Sequence, residues 1–391
     1  MGSKIAIYLD NNATTPLDPR VLEAMRPALT TEFANPLSTH AAGQRAALLV
    51  DEARAHVARL LACSEREIAF TSGATESCNL AIKGAAQAYA DRGNHIVTAL
   101  TEHKAVVNTC RRLEGQGLTV TWLRPDREGR IFAEQVREAI TDRTILVSIM
   151  TANNETGVVQ PIGEIGALCH RRSVLFHTDA TQAVGRIPLN VAEAQVDLLS
   201  LSAHKFYGPK GVGALYVRGA SPRARLVCQN DGGGQEAGLR SGTLNVPGIV
   251  GLGAAARLAF EELAEEGKRL AVLRDRLEAR LLAALDGAWV NGGGAPRLPN
   301  TLNVSFGQVS GEALLSRLPG IAASTGSACS SAGDDPHYVL RAMGVGEERA
   351  AGAVRLSLGR FTTAEEIDEA AALIVAAVKN LRDPGTPHIR P

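Results

Sequence analysis

Between about residues 50 and 220 the chain alternates short, apolar, β-branched runs with helix-patterned stretches, and this alternation restricts its fold more than any other feature. Strands that recur with a helix between them need crossover connections, so they pair as a parallel sheet covered by helices. The pattern predicts strands over 67–70, 95–100, 119–123, 144–150, 174–177, 197–201 and 213–216, with helices over 50–62 and 79–91 among them. A long Ala/Leu/Glu/Arg-rich stretch over 250–284 then reads as a helical spine. It leads into a smaller α+β unit with strands over 303–306, 321–324 and 354–358. A chain of 391 residues exceeds one ordinary core. Two domains are expected, 1–258 and 259–391, with residues 1–14 able to pack on the smaller one. The polar, Pro-containing stretch 383–391 is expected to be a disordered tail.

Lys plus Arg equals Asp plus Glu at 41 each, so no global field attracts nucleic acid or an anionic membrane. Six scattered cysteines without a CxxC pair argue against a zinc site and against a secreted disulfide framework, and fit a reducing cytoplasm. No apolar run is long enough for a membrane span.

Polar residues gather at the carboxyl ends of successive expected strands, where open α/β sheets bind ligands. The first such end is Thr71-Ser72-Gly73-Ala74-Thr75-Glu76-Ser77 before a helix. Its small residues, hydroxyls and helix N-terminus can cradle a phosphate, although a plain helix cap has the same composition. It matches neither a dinucleotide fingerprint nor a Walker loop. The next ends carry Glu102-His103 and Asn153-Asn154-Glu155-Thr156-Gly157. His103 could stack on a planar cofactor or move protons, or simply be a hydrogen-bonded loop residue. Asp179 follows the run ending at His177, and Ser202-Ala203-His204-Lys205 follows the run ending at Leu201. A lysine, an anion cradle, an acid and a stacking group are what pyridoxal phosphate (PLP) requires. Lys205 suits the Schiff base and Asp179 the pyridine nitrogen. Lys210, after a Gly-Pro turn, reads as structural.

Further along, Cys329 sits in Ala323-Ser324-Thr325-Gly326-Ser327-Ala328-Cys329-Ser330-Ser331. Such small residues anchor a loop weakly, which favours an exposed thiol able to move and to act as a thiolate nucleophile. Arg355, on an alternating strand, can grip a carboxylate bidentately, or make a surface salt bridge.

These motifs, together with Tyr8-Leu9-Asp10-Asn11-Asn12-Ala13-Thr14-Thr15, Asn35-Pro36, Arg240-Ser241-Gly242-Thr243 and Arg360-Phe361-Thr362-Thr363, span nearly the whole chain. In them the chain resembles the cysteine desulfurases of iron-sulfur cluster and nitrogenase assembly, within the class V aminotransferases. The resemblance implies an α/β PLP-dependent transferase fold of fold-type I, with a mostly parallel sheet in the large domain. It implies that Lys205 carries the cofactor, Asp179 pairs with the pyridine nitrogen, Gln182 bonds the ring oxygen and His103 stacks on the ring. Ala74, Thr75, Ser202 and His204 would bind the phosphate, with Thr243 reaching the phosphate of a neighbouring subunit in a homodimer. Asn154 and Arg355 would hold the carboxylate of L-cysteine. Cys329 would take the sulfur as a persulfide, leaving alanine, and pass it to an acceptor such as an iron-sulfur cluster scaffold. No resident metal is implied, although Cys329 could transiently ligate a cluster in a scaffold complex. A selenocysteine lyase or another class V aminotransferase would use the same Lys205 and Asp179. Thr325 and Ala237 stand where relatives commonly have serine and arginine.

Overall fold

The computed structural model describes residues 7–220, 223–326 and 337–383. The chain begins with β1 (Ile7–Tyr8), α1 (Pro19–Thr30) and α2 (Ala41–Leu61). Strands and helices then alternate: β2 (Ile68–Thr71), α3 (Ala74–Ala88), β3 (His95–Ala99), α4 (Lys104–Glu114), β4 (Thr119–Leu123), α5 (Ala133–Ala139), β5 (Thr144–Ser148), α6 (Ile162–Arg171) and β6 (Leu175–Asp179). The strands β7 (Leu198–Ser202) and β8 (Gly213–Val217) complete this part. After α7 (Val246–Ala284) come β9 (Ala288–Val290), β10 (Thr301–Phe306), α8 (Gly311–Ser316), β11 (Ile321–Ala322), α9 (Tyr338–Ala342), α10 (Glu347–Ala351), β12 (Ala353–Ser357) and α11 (Ala364–Arg382).

The large sheet has seven strands in the order β2-β8-β7-β6-β5-β3-β4. β8 runs antiparallel to both its neighbours, and the other pairings are parallel. The carboxyl ends of β2, β3, β5, β6 and β7 therefore share one edge. The interior strands read Ile-Leu-Val and Leu-Leu-Ser-Leu because helices bury both faces, and every residue of β5, β6 and β7 is buried. β4, paired only with β3, keeps Thr119 exposed, as an edge strand does.

Expected and observed strands in this sheet agree to within two residues at either end, and β4 matches at both. The helices differ more. α2 starts at Ala41, nine residues before the expected start at position 50, because His40 accepts the Gly43 N–H and caps a turn that lacks large apolar side chains. α3 starts at Ala74, so the expected phosphate loop is already the first turn of a helix. β1 and β9 add to the expected strands: two or three residues carry too little periodicity to register in a sequence.

The apolar interior divides along α7. Leu252, Leu258 and Ala259 pack with the large sheet, whereas Leu270, Leu273, Leu277 and Leu281 pack with β10, β12 and α11. Ile7 and Leu9 belong to this second cluster, and β1 pairs in parallel with β11. Among the described residues no helix is long and apolar enough to cross a membrane.

Candidate functional site

A cavity of about 350 Å³ opens at the shared carboxyl edge of the large sheet. Each strand end supplies part of its wall. Ser72, Gly73, Ala74 and Thr75 follow β2; His103 follows β3; Met150 and Asn154 follow β5. Asp179, Thr181 and Gln182 come from β6, and Ser202, His204 and Lys205 from β7. Arg355 on β12 closes the far side.

The anion end is built from backbone. Gly73 caps α3 with no side-chain hydrogen bond, leaving amide donors at the first turn for a ligand. Its position depends on Gly213, where a Cβ would sit 2.4 Å from the Leu201 carbonyl and 2.7 Å from Gly73 Cα. The Ser202 hydroxyl and the His204 ring stand beside this turn in the cavity wall. His204 Nδ1 lies 3.1 Å from Thr14 Oγ1, and burial, then Lys205 and Lys210, push its pKa down to about 4. The ring is neutral at pH 7. Lys210, expected to be structural, also lines the cavity.

Asp179 is 4% exposed, and its Oδ1 accepts the Thr181 N–H at 3.0 Å. This residue does two things: it caps a turn and presents a carboxylate to the cavity. His103 is similar. Its Nδ1 accepts the Ala105 N–H at 3.1 Å, capping α4, which leaves the neutral ring's proton on Nε2. Beneath them Glu102 is fully buried, one carboxyl oxygen accepting the Met150 N–H at 2.7 Å. Burial pushes its pKa well above the usual carboxylate range. Glu102 does not line the cavity, whereas Asp179 does.

Behind Asp179, His177 is clasped between the Ser148 and Ser200 hydroxyls at 2.8 and 2.9 Å, and burial lowers its pKa to about 4. An unfolded histidine titrates near 6.5, so at acid pH the unfolded chain binds the extra proton. The stability that His177 contributes is complete above pH 6.5 and is lost as the pH falls toward 4. Chemical denaturation at pH 7 and pH 4.5 should show the wild type losing roughly 2–3 kcal/mol more than His177→Gln between those conditions. Equal losses would contradict this.

At the opposite end, Arg355 is buried, donating to the Asn154 carbonyl at 3.0 Å and pairing with Asp10 at 2.7 Å. It is not a surface salt bridge. Its Nε and the Asn154 Oδ1 are buried without a hydrogen-bond partner among the described residues. Arg355 and Asn154 both line the cavity, where a guanidinium suits a carboxylate ligand. Lys205 Nζ donates to the Asn12 and Ala13 carbonyls at 2.6 and 2.9 Å, and Gln182 Nε2 donates to the Asn12 carbonyl at 3.0 Å.

The structure thus brings together Ala74, Thr75, His103, Asn154, Asp179, Gln182, Ser202, His204, Lys205 and Arg355. Thr243 is exposed and lies outside this chain's cavity. Cys329 lies outside the described residues. Asn12 and Ala13 add a wall that sequence reasoning misses: their run stands out as a motif, but nothing in it points to a cavity. The donor set fits a phosphorylated pyridine aldehyde: helix amides and neutral donors for phosphate, a buried carboxylate for a ring nitrogen, an amine for the carbonyl. No group of three or more His, Cys, Asp or Glu among the described residues could hold a metal ion.

Residues 7–370 match the family model for aminotransferase class-V. A cysteine desulfurase IscS from Anaeromyxobacter sp. (strain Fw109-5) is 56% identical over 381 residues, covering 97% of this chain and 94% of the relative. The cysteine desulfurase IscS of Histophilus somni (strain 129Pt) is 52% identical with the same coverage. Among solved structures, a NifS-like protein superposes with a TM-score of 0.89 at 40% identity, over 96% of this chain and 99% of that one. SspA in complex with cysteine gives 0.81 at 39% identity, over 91% and 100%.

Proposed function

This chain belongs to the aminotransferase class-V family, and we infer that it is a cysteine desulfurase dependent on PLP. The observation that carries the reading is the convergence of Lys205, Asp179, the α3 N-terminus and Arg355 on one cavity.

Bound there, the cofactor supplies an electron sink for bonds broken next to the substrate nitrogen. The amides of Ala74 and Thr75, with Ser202 and neutral His204, would hold its phosphate. Asp179 would keep the pyridine nitrogen protonated, Gln182 would bond the ring oxygen and His103 would cover the ring. Arg355 and Asn154 would orient L-cysteine through its carboxylate. The Lys205 amine, once displaced by substrate, would carry a proton to and from the substrate's Cα. The Cys329 thiolate would attack the substrate sulfur: a sulfur–sulfur bond forms, the Cβ–sulfur bond breaks with its electron pair left toward carbon, and Cβ takes a proton. Cysteine and one thiol become alanine and one persulfide, with no outside oxidant.

Cys329 follows Gly326, and the flanking residues support this role. Ser324 and Arg355 exchange backbone hydrogen bonds at 2.6 and 3.3 Å, and the Tyr338 hydroxyl donates to the Glu102 carbonyl at 2.8 Å. Both flanks therefore touch residues of the cavity wall or its support. We further propose a homodimer in which the exposed Thr243 completes the partner's phosphate site, two domains over 1–258 and 259–391, and a cytoplasmic sulfur acceptor of the iron-sulfur scaffold class.

Purified protein should be yellow and, with cysteine and a thiol reductant, yield alanine and sulfide in equal amounts. A requirement for added 2-oxo acid would instead favour an aminotransferase.

A further inference from the structure

The segment Asp10–Asp18 contributes Asn12 and Ala13 to the cavity wall and is held at both ends. At its start Asp10 pairs with Arg355 at 2.7 Å, and Asn11 and Asn12 bond Ser357 of β12. Asn11 sits so close to Gly359 that a Cβ there would lie 2.3 Å from Asn11 Oδ1. The Asn12 amide is held by Thr301 and Asn300 at 2.9 and 3.1 Å. At its end Asp18, 1% exposed, receives Arg360 at 2.7 Å and Arg20 at 2.8 Å.

Arg360 also grips Glu266 at 2.7 Å and lies 4.3 Å from the centre of the Tyr207 ring. Tyr207 follows Lys205 by two residues and adopts φ +68, a left-handed conformation that a tyrosine keeps only where its surroundings enforce it. Its hydroxyl donates to Glu266 and accepts from Arg186 and from the Arg360 amide, which uses its full hydrogen-bonding capacity. Its backbone N–H donates to Thr15 Oγ1 at 2.7 Å, and its carbonyl accepts from Asp18. Between the two pinned ends lie the carbonyls of Asn12 and Ala13, the acceptors of Lys205 Nζ.

We propose that Asp10–Asp18 is a positioning strap for Lys205: the Asn12 and Ala13 carbonyls accept from the lysine amine when a substrate amine takes its place, and from the ammonium it becomes on taking the Cα proton, and Arg355 and Arg360 pin the strap's ends. This rests on Lys205 being the residue that carries the cofactor. An amine that becomes an ammonium inside a buried cavity needs acceptors already in position, since moving them at each turnover would cost the advantage of a fixed site. Main-chain carbonyls serve only if the chain that bears them cannot drift. Arg355 adds a link, because a carboxylate that binds its guanidinium binds the group that holds Asp10 at the start of the strap that takes up the lysine.

The test uses the holoenzyme and the product L-alanine, whose binding displaces Lys205 without sulfur chemistry and is read from the cofactor's visible spectrum. Arg360→Gln, outside the cavity, should speed amide exchange across 10–18 and weaken alanine binding about tenfold, the effect of losing a charge-assisted hydrogen bond. KM for cysteine should rise more than kcat falls. Cofactor content and exchange in β3 and β5 should stay at wild-type levels, and Arg276→Gln, which breaks an exposed pair with Asp368, should change none of these. Should Arg360→Gln not fold, Asp18→Asn reads the same quantities with a smaller change of charge. Faster exchange at 10–18 with alanine affinity changed by less than about twofold would overturn the proposal, and so would unchanged exchange. A wild-type protein that binds no cofactor would refute the functional assignment, a separate outcome visible beforehand.

Discussion

The Lys205→Ala protein is expected to bind the cofactor without covalent attachment and to lose desulfurase activity by on the order of 10⁴-fold. Borohydride reduction of the wild type should fix the cofactor to a peptide containing Lys205, and the variant should remain unlabelled. Two proposed roles converge on this residue: its amine would anchor the cofactor's carbonyl and, once displaced, move the substrate proton. The fold gives it no substitute. Lys210 lines the same cavity, but it enters from the Gly208–Gly211 turn beside His204, whereas Lys205 Nζ reaches the Asn12 and Ala13 carbonyls. Labelling transferred to Lys210, or activity within about tenfold of wild type, would contradict the assignment. The substitution should leave the fold intact, since the side chain reaches into a cavity and packs in none of the apolar clusters.

Cys329→Ala is expected to separate cofactor chemistry from sulfur transfer. Cysteine should still shift the cofactor's visible band, because Lys205, Asp179 and Arg355 are untouched. Sulfide release should fall by about a hundredfold or more, since the attacking thiolate is gone and free thiols in solution lack its placement. None of the other described cysteines, Cys228 included, lines the cavity. Cys78, Cys110 and Cys169 are buried, and burial pushes their thiol pKa values up. Cys63 is half-buried and likewise pushed up, to about 12. Unchanged sulfide release from the variant would remove the persulfide from the mechanism.

The legible part of this molecule is what strand periodicity and strand ends encode. Runs such as Thr144–Ser148 and Leu198–Ser202 are apolar because both faces of the sheet are covered, so they announce themselves. The residues that follow them must lie at one sheet edge, which is why the sequence alone groups His103, Asp179 and Lys205. Helix starts are less visible. His40 caps α2 through a ring nitrogen, a signal weaker than that of Ser, Thr, Asp or Asn. Long-range contacts by main-chain atoms are not visible at all. The carbonyls of Asn12 and Ala13 meet Lys205 only because Asp10 and Asp18 are held by arginines more than 340 positions away along the chain. Carbonyl oxygens are common to every residue, so nothing in the side-chain pattern marks these two. That Lys210 lines the cavity is hidden for a related reason: a Gly-Pro turn signals where the chain bends but not toward what.

The central claim is that sulfur leaves cysteine on Cys329 while alanine forms in Lys205's cavity. The most direct measurement is a single turnover without reductant: holoenzyme mixed with equimolar L-cysteine, digested, and analysed by mass spectrometry alongside quantification of alanine. The account predicts one alanine per active site and one added sulfur atom on the peptide bearing Cys329. Alanine formed in full with no sulfur on that peptide, or sulfur there without alanine, would contradict it.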